Sequence, residues 1–342
     1  MVHWDRKKHR RRLVAQILVL VLASLLFAMI YQEEVTQAGR DSPLTLVQKF
    51  EVPLKEISGL AVMPRKNGTE LAFVGDRKAE ILAFAQPSGQ SVGHSFKNQL
   101  LDRFSLCRTE DFEDCKRMVK KLTSNWEALS VDGAGRFFIL QEHTQSIVVL
   151  SSDFKTIEKV IHFNFAHAFP ELVNRGTRKF RLNALGEGMI LLKNGHVLIA
   201  KEQYPLAFVE FGPEGDQALG VSPESVLGAT ELFSIPGNEM MHLDYQPLAT
   251  WIVAGHSKCD FSDLAIDGQG RMLVLSQTCR HVEVFDRLVP ELEAKPRESI
   301  QLPADIASPE ALAVKDDLWF IASDIPTKRE YNFYILRFGS HL

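Results

Sequence analysis

One pattern recurs five times along this chain, and it constrains the fold more than any other feature. Each copy is a short apolar strand, a turn, a second apolar strand, a polar break and a third strand. The first copy runs Ser58-Gly59-Leu60-Ala61-Val62, Leu71-Ala72-Phe73-Val74 and Ile81-Leu82-Ala83-Phe84. Later copies open at Glu127-Ala128-Leu129, Glu187-Gly188-Met189, Ser262-Asp263-Leu264 and Glu310-Ala311-Leu312. Repeated units of this kind leave apolar faces that only neighbouring units can cover. The apolar runs are short and bounded by Gly, Asp, Asn and Pro, which is strand chemistry rather than helix chemistry.

Most copies leave room for a fourth, more polar strand, such as Ile157-Glu158-Lys159-Val160-Ile161 or Ser299-Ile300-Gln301-Leu302. Four antiparallel strands per repeat make a propeller blade. Residues 44–342 therefore read as an all-β, five-bladed β-propeller. Six blades result if the apolar stretches of residues 228–254, including Trp251-Ile252-Val253, form a blade of their own. The last copy has no fourth strand, while Leu44–Phe50 is a spare strand ahead of the first. That strand is predicted to complete the last blade and close the ring, removing its open edges. Residues 95–124 and 163–183 read as insertions, the second placing Phe163, Phe165 and Phe169 over one face.

The N-terminus has a different character. Arg6, Lys7, Lys8, Arg10, Arg11 and Arg12 precede an uncharged apolar run from Leu13 to Tyr31, and Glu33 and Glu34 follow it. At about 1.5 Å per residue the run spans roughly 28 Å, close to the hydrocarbon thickness of a bilayer. The expected organisation is a basic cytoplasmic tail (1–12), a transmembrane anchor (13–31), a linker (32–43) and the propeller (44–342). Basic residues before the span place the N-terminus in the cytoplasm and the propeller outside it. A cleaved signal peptide is the competing reading, but the end of the run, Phe27-Ala28-Met29-Ile30-Tyr31-Gln32, offers no good small-x-small cleavage site.

The four cysteines suit an oxidising compartment. Cys259 and Cys279 lie opposite each other across a predicted hairpin turning at Asp267-Gly268-Gln269-Gly270, where a cross-strand disulfide is feasible. Cys107 and Cys115 are close enough to close a small loop. The alternative is four free thiols. Neither pair has zinc-site spacing.

In a propeller, the first strand of each blade lines the channel, and its start shares a rim with the end of the second strand. Glu127, Glu187 and Glu310 begin first strands. Asp76, Glu142 and Glu202 end second strands, with Asp324 nearby in the last blade. Crowded carboxylates raise one another's pKa unless a cation or proton intervenes. Calcium takes six to eight oxygen ligands in flexible geometry, which such a rim can supply. Asn183 can add a neutral oxygen, and Asn125 lies near the same rim. Alternatively these are solvated acids pairing with Lys201 and Arg77, an arrangement that contributes little. His143 follows Glu142 and is a weak candidate for a general base, or a polar cap.

Several stretches carry a family resemblance. They are Asn183-Ala184-Leu185-Gly186-Glu187-Gly188, Ala200-Lys201-Glu202-Gln203-Tyr204-Pro205, Asp260-Phe261-Ser262-Asp263-Leu264-Ala265-Ile266, and Ser308-Pro309-Glu310-Ala311-Leu312-Ala313, with Asn332–Phe338. The chain resembles the SdiA-regulated (YjiK-like) family of bacterial envelope proteins and is more distantly similar to the esterase-like phytase propellers. The resemblance implies a five-bladed propeller with calcium near its central channel. It also implies an inner-membrane anchor and a periplasmic propeller. In such an envelope the sequon Asn67-Gly68-Thr69 is only a turn.

The net charge of −4 lacks the basic excess of a nucleic-acid-binding surface. No Gly-x-Ser-x-Gly elbow, His-Glu-x-x-His or phosphate-binding Gly-rich loop occurs. Two readings remain. One is a calcium-binding module that binds or scaffolds an envelope protein or small molecule. The other is a calcium-dependent hydrolase of an ester, lactone or phosphoester, without a serine nucleophile. Fold alone does not choose between them.

Overall fold

The computed structural model describes residues 42–64, 69–76, 78–86, 125–153, 156–170, 186–203, 205–236, 241–253, 258–325 and 331–339. The expected tail (1–12), anchor (13–31) and nearly all of the linker lie outside the described residues. So do Cys107, Cys115, Asn183, Arg77 and the 95–124 insertion. Among the described residues, no helix is long and apolar enough to cross a membrane. Residues Pro43–Leu342 form one compact unit.

The strands follow chain order almost sheet by sheet. β1 (Leu44–Phe50) comes first, followed by β2 (Ile57–Met63), β3 (Thr69–Gly75) and β4 (Lys78–Gln86). Then come β5 (Trp126–Val131), β6 (Phe137–Gln141), β7 (Ser146–Leu150) and β8 (Ile157–His162). The third repeat supplies β9 (Gly188–Leu191), β10 (Val197–Lys201) and β11 (Ala207–Gly212), followed by β12 (His242–Asp244) and β13 (Gln246–Ile252). The fourth supplies β14 (Asp263–Ile266), β15 (Met272–Ser276), β16 (His281–Phe285) and β17 (Glu298–Gln301). The fifth supplies β18 (Pro309–Lys315), β19 (Leu318–Ser323) and β20 (Phe333–Phe338).

These strands build an all-β propeller whose blade count corrects the expectation of five or six. Four blades are complete: β5–β8 with β12 added, β9–β11 with β13, β14–β17, and β18–β20 with β1. The remaining sheet, β2–β4, has three strands among the described residues. Among the described residues, the apolar stretches of residues 228–254 make no blade of their own. β13 is the outer strand against β11, and β12 pairs in parallel with β8. Inner strands β2, β5, β9, β14 and β18 each contact the next, and β18 returns to β2. Apolar clusters fill the spaces between successive sheets; one packs Phe73 of β3 against Phe320 and Phe333 of the last blade. Phe163, Phe165 and Phe169 do not cover a face. They are buried with Phe211 between the second and third sheets.

Local chemistry explains the hairpins. The β5–β6 and β14–β15 turns share an Asp-Gly-x-Gly-Arg sequence. Asp132 Oδ1 accepts the backbone N–H groups of Ala134 and Arg136, while Oδ2 accepts from Arg136 Nε at 2.9 Å. Asp267 repeats this with Gln269 and Arg271. Gly135 and Gly270 take φ of 77° and 76°, the left-handed region that glycine enters without penalty. Four of the five inner strands carry a small residue at one position, with Asp263 there in β14. A Cβ on Gly188 would stand 2.6 Å from the Leu264 nitrogen of the next blade. Alanine at 128 and 311 occupies the same place in other copies.

The ring closes through its ends. β1 pairs antiparallel with β20, from Leu44 opposite Phe338 to Phe50 opposite Phe333. Asn332 extends the seam: its Oδ1 accepts the Val52 N–H at 2.7 Å, and its Nδ2 donates to the carbonyls of Val52 and Leu54. Asn332→Ala would leave these buried backbone groups without partners. It should lower unfolding free energy by about 3 kcal/mol, read by chemical denaturation, whereas a change of under about 0.5 kcal/mol would mean that the seam does not depend on this amide.

Candidate metal centre

Three blades deliver a side chain to the rim by one backbone device. In β2, β5 and β18 the pairing register slips at Ser58, Glu127 and Glu310, so each is a bulged residue. A bulge re-aims its side chain out of the strand's alternation. Two residues earlier, Glu56, Asn125 and Ser308 take φ of 52°, 54° and 43°. Their carbonyls accept the N–H of Asp76 (3.0 Å), Glu142 (3.3 Å) and Asp324 (3.0 Å), the residues just after each second strand. First and second strands are thereby locked together where the acids sit.

The result is a cavity of about 240 Å³ at the channel mouth. Asp76, Glu127, Glu187, Glu202 and Glu310 line it, as the repeat positions predicted. Glu56, Asp260 and Asp324 join them, with Ser58, Ser262 and Gln277 between. Glu142 meets Glu187 and Glu202: each offers a carboxylate oxygen, and the three lie within 4.8 Å of one another. Glu56 and Asp260 were missed as ligand candidates. Their signal was available, since each stands two residues before a serine that occupies the glutamate position of its repeat. His143 is exposed, does not line the cavity, and places Nδ1 4.0 Å from Glu142 Oε2. Cys259 and Cys279 are joined by a disulfide with Cα atoms 5.3 Å apart.

Burial and mutual repulsion set the electrostatics. Burial, reinforced by Asp76 and Glu142, pushes the Glu127 carboxyl up to about 9. Burial and the neighbouring Asp324 push Glu310 up to about 9 as well. Glu187 is held well above the carboxylate range by burial and then by Glu127. Burial also raises Glu202. The buried Lys201 is lowered to about 8 by desolvation and donates from Nζ to the Gln203 carbonyl at 2.7 Å. The arrangement is an oxygen-rich cup of crowded carboxyl groups that favours protons or a hard cation.

No family model matches this sequence, and no curated protein does. Several solved structures are similar in overall fold. Glutaminyl cyclase from Myxococcus xanthus is 11% identical with a TM-score of 0.43, over 86% of this chain and 95% of the other. The PQQ-bound aldose sugar dehydrogenase from Streptomyces coelicolor is 9% identical (TM-score 0.42, 86% and 97% covered). Inactive virginiamycin B lyase from Staphylococcus aureus with quinupristin is 8% identical (TM-score 0.41, 86% and 99%). At such identities and TM-scores the likeness carries no argument about function.

The raised carboxyls couple stability to pH. Glu127 and Glu310 have folded values near 9 against an ordinary 4.5, so the native state binds more protons between those limits. Their stabilising effect is complete below about pH 4.5 and is lost as pH rises through about 9. Metal-stripped protein should therefore melt at progressively lower temperature from pH 5 to pH 9. Glu127→Gln should stabilise it by up to about 5 kcal/mol at pH 8 and by under about 1 kcal/mol at pH 5. A wild-type melting temperature that rises over this range would contradict the assignment.

Proposed function

We propose that the channel mouth holds a calcium ion and that the propeller is a calcium-dependent binding or scaffolding module. The observation carrying this reading is Glu127. Its side chain is nine-tenths buried on the cavity wall. Among the described residues no hydrogen bond or ion pair engages it, and the groups acting on it are carboxylates. A buried carboxylate without a partner is strongly unfavourable unless protonated or bound to a cation. Glu142, Glu187 and Glu202 offer converging oxygens beside it. Ligands from separate strands suit calcium's large, flexible coordination shell better than the strict octahedron of magnesium.

The setting we propose is a bacterial inner membrane, with residues 13–31 as anchor and the propeller in the periplasm. The Cys259–Cys279 bond supports an oxidising compartment. The resemblance to the SdiA-regulated (YjiK-like) envelope family supports both the anchor and the calcium. The partner would be an envelope protein or small molecule meeting the propeller face. A second reading, calcium-dependent hydrolysis of an ester, lactone or phosphoester, draws on the cavity. Its volume of about 240 Å³ exceeds what one ion requires, leaving space for a small polar group beside it. Calcium-dependent turnover of any such ester that Glu187→Gln abolishes would favour this reading over scaffolding.

Calcium titrated into metal-stripped full-length protein in detergent should raise its melting temperature, and magnesium should do so less. Glu187→Gln should lose the calcium effect. Binding at pH 7 should also release protons, read in weak buffer, because Glu127 and Glu310 are protonated without the cation. No melting shift at millimolar calcium would overturn the assignment and turn attention to protein partners.

A further inference from the structure

The β14–β17 blade lacks the device that positions rim residues in β2, β5 and β18, and the β9–β10 pair shows no register slip either. No register slip occurs between β14 and β15, and Asp260, two residues before Ser262, has no left-handed backbone. A side-chain clasp stands in its place. Asp260 Oδ1 accepts from Ser276 Oγ at 2.8 Å and from the Thr278 N–H at 3.0 Å, while Oδ2 accepts from Thr278 Oγ1. Ser276 Oγ in turn accepts the Cys279 N–H at 3.1 Å. The Cys259–Cys279 disulfide lies directly beside this knot, since Cys259 precedes Asp260 and Cys279 follows Thr278.

Gln277 sits inside the clasped turn. It occupies the position that carries Asp76, Glu142, Glu202 and Asp324 in the other copies, and it is the one amide there. Its Nε2 donates to Glu310 Oε1 across the blade boundary. Both Gln277 and Glu310 line the cavity. The disulfide thus reaches the rim in two steps, through the 276–279 turn to Gln277 and from Gln277 to Glu310. Both cysteines are partly exposed, which leaves the bond open to a soluble thiol.

We infer that the Cys259–Cys279 disulfide and the Asp260 clasp are positioning elements of the cation site, so that opening the disulfide weakens cation binding. The inference rests on the calcium reading above. A dithiol reductant supplies the two electrons and two protons, leaving two cysteine thiols and becoming a disulfide itself. The turn is then held only by hydrogen bonds, and Gln277 is no longer fixed against Glu310. Partners that orient ligands typically account for 10–100-fold in metal affinity.

The test is calcium affinity by titration calorimetry on the full-length chain, well below its melting temperature. Wild type is compared with the Cys259→Ser/Cys279→Ser pair, which leaves Cys107 and Cys115 untouched. Binding should weaken by about 10-fold in the pair. Dithiol treatment of wild type should produce the same loss, and reoxidation should restore the affinity. Thr278→Val, which keeps the disulfide but removes a bond to Asp260, should shift affinity in the same direction. It carries the test if the cysteine variant fails to fold. Equal affinities across oxidised, reduced and Thr278→Val proteins, even with a lower melting temperature, would overturn the inference while leaving the calcium site intact. No calcium binding by oxidised wild type would instead overturn the calcium reading, and this inference with it.

Discussion

A ring of sheets has no free end at which to stop, so its first and last strands must find each other. Here β1 lies against β20, and Asn332 stitches the chain beyond β1 to the same blade. The loop closed in this way spans nearly the whole propeller, and its entropic cost grows only slowly with length. What the pairing secures is large by comparison. Without it the last blade exposes an edge, and the apolar cluster between the last and first sheets loses one of its walls.

Closure also forces the inner strands close together. Gly59 and Gly188 stand where a Cβ would press on the neighbouring strand; Ala128 and Ala311 serve at the matching position of two other copies, and Asp263 in the remaining one. Residues at the starts of these strands then have nowhere to point except the channel mouth. The bulges at Ser58, Glu127 and Glu310 commit them to it. The same geometry that packs the core therefore concentrates negative charge at one end. Burial and repulsion raise Glu127, Glu187 and Glu310 together. Such local conflict between folding and charge is what a binding site leaves in a structure that is otherwise consistent.

Much of this was legible in the sequence because it is periodic. Alternation and turn chemistry gave the strands, and the spare strand at residues 44–50 pointed to the closing seam. The repeat positions brought Asp76, Glu127, Glu142, Glu187, Glu202 and Glu310 to one rim. Counting blades failed for a physical reason. Apolar runs announce strands but not their partners, so β12 and β13 gave no sign that they would extend two existing blades. Glu56 and Asp260 were overlooked because they lie outside the strands, where the chain's path rather than its periodicity sets direction. The buried His196–Glu210 pair, 2.7 Å apart, left no periodic trace either. His143 follows a rim acid in sequence, yet its side chain is exposed.

The sequence by itself determined the all-β class, the repeat and the set of acids that share a rim. Each follows from short-range rules: two-residue alternation, turn residues and equivalent positions in successive copies. Only the tertiary structure decided which strands complete which blade, how closely the acids approach, and that a disulfide clasp stands where the β14–β17 blade has no bulge. Those outcomes depend on contacts between residues far apart in the chain, such as Gln277 with Glu310 and Val52 with Asn332. No local pattern encodes such contacts, because they exist only once the ring has closed.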